Sequence, residues 1–196
     1  MMRLILIGAA AAFLSGLHQP VSAQSVTECD RLTAHKSDPD KVVAAGVSGK
    51  DISSAAIDAC RRAVDADPGN LRLRYQLARA LAENGRAAEG HADMHMAAEG
   101  GYRQAAFVLG YLYDEGMQGL TRDPCKAAAL WHSAARSGLF AALISYPHHI
   151  VNGRFAACAT SADPKTLRNM LQQAQTMAPD YYQRMIIADL LAELGP

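Results

Sequence analysis

Apolar side chains recur along this sequence every three to four residues, segment after segment, and the segments end at glycines and prolines. The first begins near Ser53. There Ala56, Ile57, Cys60, Ala63 and Val64 share one face before Asp67-Pro68-Gly69-Asn70 stops the pattern. A second helix is predicted over Leu71–Asn84, with Leu73, Leu77, Ala78 and Leu81 on its stripe and Gly85 at its end. A third runs Ala87–Glu99 and closes at Gly100-Gly101. Two more follow at Arg103–Glu115 and Pro124–Ser137. Asp123 is placed to cap the latter, and Pro124 takes its first position, where a backbone N–H has no helical partner anyway. From Leu139 the pattern returns less regularly: Gly153 stands 37 residues after Gly116, and Asp163-Pro164 stands 40 after Asp123-Pro124. A helix over Leu139–Asn152 contains Pro147, which predicts a kink or an early stop. Helices over Pro164–Met177 and Asp180–Leu194 complete the series. In the last, Tyr182, Met185, Ile186, Leu190 and Leu194 predict the inward stripe of a terminal cap. No stretch alternates with period two for long enough to predict a strand.

Residues 1–52 follow no such period. Met1 to Arg3 give a short basic start, and Leu4 to Leu17 an apolar run of fourteen residues, too short to span a bilayer. Val21-Ser22-Ala23 supplies the small residues of a cleavage site, so residues 1–23 predict a signal peptide cut after Ala23. Leu14-Ser15-Gly16 is followed by Leu17 rather than cysteine, so no lipid anchor is expected. Residues 24–52 predict an irregular segment, with one short helix after Pro39. Residues 53–196 form the helical domain.

One unit is written almost in full between Arg103 and Gly138. Small residues, Ala106, Gly110, Ala127, Ala134 and Ala135, stand where two helices must touch. Leu109, Leu112, Tyr113, Leu130 and Trp131 fill the seam between them. A helix pair of this kind cannot bury its apolar faces alone, which predicts a solenoid of stacked pairs. The order Ala106…Leu109-Gly110…Tyr113…Gly116…Asp123…Lys126-Ala127…Trp131…Ala134-Ala135…Gly138 resembles the Sel-one-like repeat, a relative of the tetratricopeptide repeat. Leu77-Ala78…Leu81…Met94…Ala97 resembles a looser unit, and Ala56…Cys60…Ala63…Pro68 the second helix of another. The resemblance spans roughly residues 53–177. It implies an all-α fold, a right-handed α-α superhelix, and a role in protein–protein or peptide contacts through the concave surface. It implies no catalytic residues. The helix over 53–67 lacks a first helix before it, so the irregular segment is expected to cover its exposed face, tied down by Cys29–Cys60.

Nineteen Lys and Arg balance nineteen Asp and Glu, and no basic stripe is visible, which argues against a nucleic-acid partner. Four cysteines, Cys29, Cys60, Cys125 and Cys158, follow the leader. An even count in an exported chain predicts two disulfides and an oxidising compartment such as a periplasm. Three pairings are possible. Contacts between neighbouring units favour Cys29–Cys60 and Cys125–Cys158, each contributing about 3–4 kcal/mol on chain-entropy grounds.

The expected groove is lined by the first helix of each unit, Leu71–Asn84, Arg103–Glu115 and Leu139–Asn152. Helix facing makes Arg72, Arg79, Gln104, Tyr111 and Asp114 the candidate partner contacts. Trp131 and Tyr113 hold core positions, while Tyr102, Tyr111 and Tyr181 are the aromatics expected at the surface. Asp65, Asp67, Asp114 and Glu115 read as solvated helix ends. His91 and His95, four apart with Met94 beside them, offer imidazole and thioether ligands for copper or zinc, which sets a metal-handling protein as a second reading. Met94, however, also holds a helix-packing position. His148 and His149 are adjacent, point apart on a helix and read as exposed. The cysteines contain no C-x-x-C pair for zinc, and no G-x-S-x-G, H-E-x-x-H or P-loop motif calls for catalysis or a cofactor. Disulfide-rich relatives imply a third reading, a cell-wall enzyme or binder.

Overall fold

The computed structural model describes residues 25–159 and 163–195; the leader expected over residues 1–23 lies outside them. Nine α-helices occur among the described residues: α1 (Glu28–Thr33), α2 (Ala55–Ala66), α3 (Leu71–Glu83), α4 (Ala87–Glu99), α5 (Arg103–Glu115), α6 (Pro124–Arg136), α7 (Phe140–Val151), α8 (Pro164–Met177) and α9 (Tyr181–Glu193). Short polar side chains set their starts by accepting from the unpaired N–H groups of the first turn. Asn70 takes Leu73 N, Asp123 takes Lys126 N, Asp163 takes Thr166 N and Asp180 takes Gln183 N. Each such cap stabilises its helix by about 0.5–2 kcal/mol. Gly116 ends α5 at φ 67°, a left-handed conformation in which glycine carries no side-chain penalty.

Successive helices pair into antiparallel hairpins, and α3–α4 and α5–α6 make the most extensive contacts. Glycines allow the closest approaches. A Cβ on Gly110 would sit 2.6 Å from the Trp131 ring, and one on Gly90 would sit 2.9 Å from the Ala78 backbone. The main core runs from Tyr75 and Ala78 on α3 through Leu109, Trp131, Leu143 and Tyr146 to Leu171, Ile187 and Leu190. A smaller core joins Cys29 on α1, Ile57 and Cys60 on α2, and Leu73, Leu77 and Leu81 on α3. Disulfides join Cys29 to Cys60 and Cys125 to Cys158.

Three local expectations need correction. The short N-terminal helix does not follow Pro39; it is α1, nucleated by a capping box in which Thr27 and Asp30 serve each other's backbone N–H groups. Residues 39–45 form turns, and a 3₁₀ turn follows at Gly49–Asp51. Pro147 does not cut α7 short. It sits inside an unbroken helix with Tyr146 and itself buried in the main core, so packing outweighs the one hydrogen bond a proline cannot donate. In α9 the buried face is Ile187 and Leu190, while Tyr182 and Met185 face solvent.

Candidate interaction surface

On α3 the residues at positions 72, 76 and 79 share one face, the face expected to line the groove. In this molecule that face is occupied by the chain's own N-terminal residues. The anchoring starts at Asp30. One of its oxygens accepts from Thr27 N and Oγ1, both at 2.8 Å; the other accepts from Arg72 Nε at 2.8 Å and Gln76 Nε2 at 3.0 Å. Asp30 and Arg72 are both buried, and such a pair survives loss of water only because its lone pairs and N–H groups are matched. Next, Arg79 donates to two main-chain oxygens, Thr33 O at 2.6 Å and Val47 O at 2.9 Å, and Val47 N donates to Ala34 O at 2.7 Å. The loop over residues 34–47 is thereby pinned at both ends by one guanidinium.

The tip of this loop reaches α5. Tyr102 donates its hydroxyl to Asp38 at 2.6 Å, and Asp40 N donates to the other Asp38 oxygen at 2.9 Å. Burial pushes the Asp38 carboxyl above its ordinary range, a shift the Tyr102 hydrogen bond partly offsets. Burial and the facing carboxylate push the Tyr102 hydroxyl up as well. Arg103 grips Asp40 with two N–H groups, at 2.6 and 2.7 Å, and donates a third to Ser137 O at 3.0 Å. The loop, α5 and the turn before α7 are thus tied at one point.

Beyond that point the inner face is open. A groove of about 490 Å³ lies between the loop at His35, Ser37 and Pro39, the start of α5 at Gln104 and Phe107, the start of α7 at Leu139 and Phe140, and the α8–α9 turn at Met177 and Gln183. Further along α5, Tyr111 is 48 % exposed.

The candidate contacts divide accordingly. Tyr111 is at the surface as expected. Arg72, Arg79, Gln104 and Asp114 are buried and cannot meet a partner as they stand. Arg72 and Arg79 hold the N-terminal residues, and Gln104 floors the groove. Asp114 takes a two-pronged bond from Arg154, at 2.8 and 2.7 Å, so it is no solvated helix end; Arg154 also reaches Glu115 at 3.0 Å. Tyr102 is buried against Asp38, whereas Tyr181 is exposed. Trp131 and Tyr113 lie in the core, with Trp131 Nε1 donating to Phe107 O at 2.9 Å. His149 is half-buried, stacked on Trp131 with ring centres 4.8 Å apart, and burial lowers its pKa; His148 is exposed. His91 and His95 engage separate partners, His91 Nε2 with Gln118 O at 3.0 Å and His95 Nε2 with the Tyr113 hydroxyl at 3.2 Å. No group of three or more His, Cys, Asp or Glu gathers in ligating geometry among the described residues.

The anchors Asp30, Asp38 and Asp40 and the groove residues Phe107, Phe140, Met177 and Gln183 did not emerge from the sequence pattern. One signal was present: Thr27 and Asp30 stand at capping-box spacing.

These features define a class, an all-α solenoid of helix hairpins with a partly self-occupied inner face. The crystal structure of a Sel1 repeat protein from Oxalobacter formigenes is similar in fold, with a TM-score of 0.54 and 21 % sequence identity over 67 % of this chain and 98 % of that one. The likeness shows that this chain has the Sel1 repeat fold. No protein-family profile and no curated protein sequence matches the chain.

Proposed function

We propose that the protein is an exported scaffold that binds another protein or a peptide on the open part of its inner face and catalyses nothing itself. The observation that carries this reading is the solvent-open stretch of that face running from the groove to Tyr111, within a fold whose repeats serve as interaction surfaces. Export to an oxidising compartment such as a periplasm is supported by the two disulfides and by the leader pattern. No helix among the described residues is long and apolar enough to cross a membrane. A photo-cross-linking residue at Tyr111, compared with one at the exposed Ala129 on α6, tests the reading in the native envelope. A discrete adduct from position 111 alone is the expected result. Equal labelling from both positions, or none from either, removes the inner face from consideration.

A further inference from the structure

The two disulfides sit in opposite surroundings. Cys29 and Cys60 are wholly buried, with Thr33 Oγ1 3.5 and 3.6 Å from their sulfurs. Cys125 is exposed and Cys158 is half-buried. Cys125 also stands in the first turn of α6. Pro124 has no N–H there, and Asp123 accepts that of Lys126 at 3.0 Å. The N–H of Cys125 is therefore the turn's unmatched donor among the described residues. A thiolate is stabilised at such a helix start, while the charges of Asp123 and Lys126, 3.7 Å apart, offset each other.

Neither sulfur depends on the bond for its place. Cys125 is carried by α6, whose Ala127, Ala128 and Trp131 lie in the main core. Cys158 N donates to Phe155 O at 2.9 Å, and Phe155 is buried with its ring against Trp131 and His149. Arg154 holds the same segment to Asp114 and Glu115. Once the bond is opened, the two thiols stay side by side.

We infer that Cys125–Cys158 is a thiol–disulfide exchange site whose co-substrate is the dithiol of another protein, and that Cys29–Cys60 takes no part. A thiolate of the dithiol attacks the more exposed sulfur, Cys125 Sγ. A new S–S bond forms there, the Cys125–Cys158 bond breaks, and Cys158 leaves as a thiolate that takes up a proton. The second sulfur of the dithiol, as a thiolate, then attacks the first. The partner's disulfide closes, and Cys125 is expelled as a thiolate at the helix start, where it takes up a proton in turn. In all, two electrons and two protons pass from the dithiol to this protein. A monothiol fails at the second step. Cys158, still anchored beside the mixed disulfide, attacks it first and restores the starting bond. The inference rests on the oxidising compartment proposed above and is independent of the inner face.

The test uses the oxidised protein at neutral pH without denaturant. Dithiothreitol serves as the dithiol and glutathione, at equal thiol concentration, as the monothiol. Alkylation and mass spectrometry read each cysteine, and near-UV circular dichroism reads the packing. The expected result is that dithiothreitol opens Cys125–Cys158 at least about tenfold faster than Cys29–Cys60, with the near-UV spectrum retained, while glutathione leaves both closed. In Cys158→Ser, glutathione disulfide caps Cys125 at least about tenfold faster than it caps Cys158 in Cys125→Ser. Any of four results overturns the inference: opening of both bonds together, loss of the near-UV signal as Cys125–Cys158 opens, equal opening by glutathione, or equal capping of the two cysteines. Cross-linking from Tyr111 is read separately, so either reading can fall while the other stands.

Discussion

At its N-terminal end the helix stack is covered by residues 27–47 of the same chain, held by the buried carboxylates of Asp30 and Asp38. At its C-terminal end α9 buries Ile187 and Leu190 but leaves Tyr181, Tyr182 and Met185 in solvent. Every hairpin in a solenoid is completed by its neighbour, so each end faces a helix without one. The N-terminal end solves this with polar groups matched one to one. Such a cover is specific, because each buried charge must find its partner, and brittle for the same reason. The C-terminal end is the converse, with little buried polarity and a partly unmatched apolar face.

The largest effect is therefore expected from Asp30→Ala. It leaves the Arg72 guanidinium buried without its carboxylate and should cost about 3–5 kcal/mol in denaturant unfolding. A loss below about 1 kcal/mol would mean that water reaches Arg72 and the end is less sealed than described.

The two disulfides come next. They close similar spans, 31 and 33 residues, so removing either should cost about 3–4 kcal/mol on chain-entropy grounds. They differ in access: Cys29 and Cys60 are buried, while Cys125 is exposed and Cys158 half-buried. Under graded dithiothreitol, alkylation and mass spectrometry should find Cys125–Cys158 opened first. Simultaneous opening would show that the N-terminal cover unfolds on the timescale of reduction.

Tyr102→Phe removes the donor to Asp38 and should cost about 1–3 kcal/mol at neutral pH. The pH dependence follows from the raised pKa of Asp38. Between the unfolded and the higher folded value, the native state holds a proton that the unfolded state has released. This contribution therefore strengthens as pH falls through the folded value and is lost above it. Asp38→Asn should remove that part of the slope, read as urea midpoints at pH 7 and pH 5. An unchanged slope would show that Asp38 titrates normally.

The smallest effect belongs to the other end. Tyr181→Ser should change stability by no more than about 0.5 kcal/mol, since the ring is 75 % exposed. A larger loss would mean that α9 is covered in solution.

The helices were legible because their apolar period is strong and their turns carry Gly, Pro and Asp; α3 to α9 all fall within a residue of their expected bounds. Two misreadings have separate causes. Pro147 has a breaking propensity that its buried surroundings override, and α9 carries apolar residues on both sides, so its pattern does not select the inward face. The site was half legible. Helix facing put Arg72 and Arg79 on one side of α3, and they do share a side, but it could not reveal what covers them. That depends on contacts to residues 42 and 46 positions earlier, in a segment without local period.

The Asp38–Tyr102 contact joins residues 64 apart. A ribosome delivers the N-terminal residues first, yet Asp30 lacks its Arg72 partner until α3 has been made, and Asp38 lacks Tyr102 until α5 begins. Part of the chain's early stretch thus waits on segments made after it. Until then Asp30, Asp38 and Asp40 keep it in water, and the inner face of α3 stays bare for whatever reaches it first.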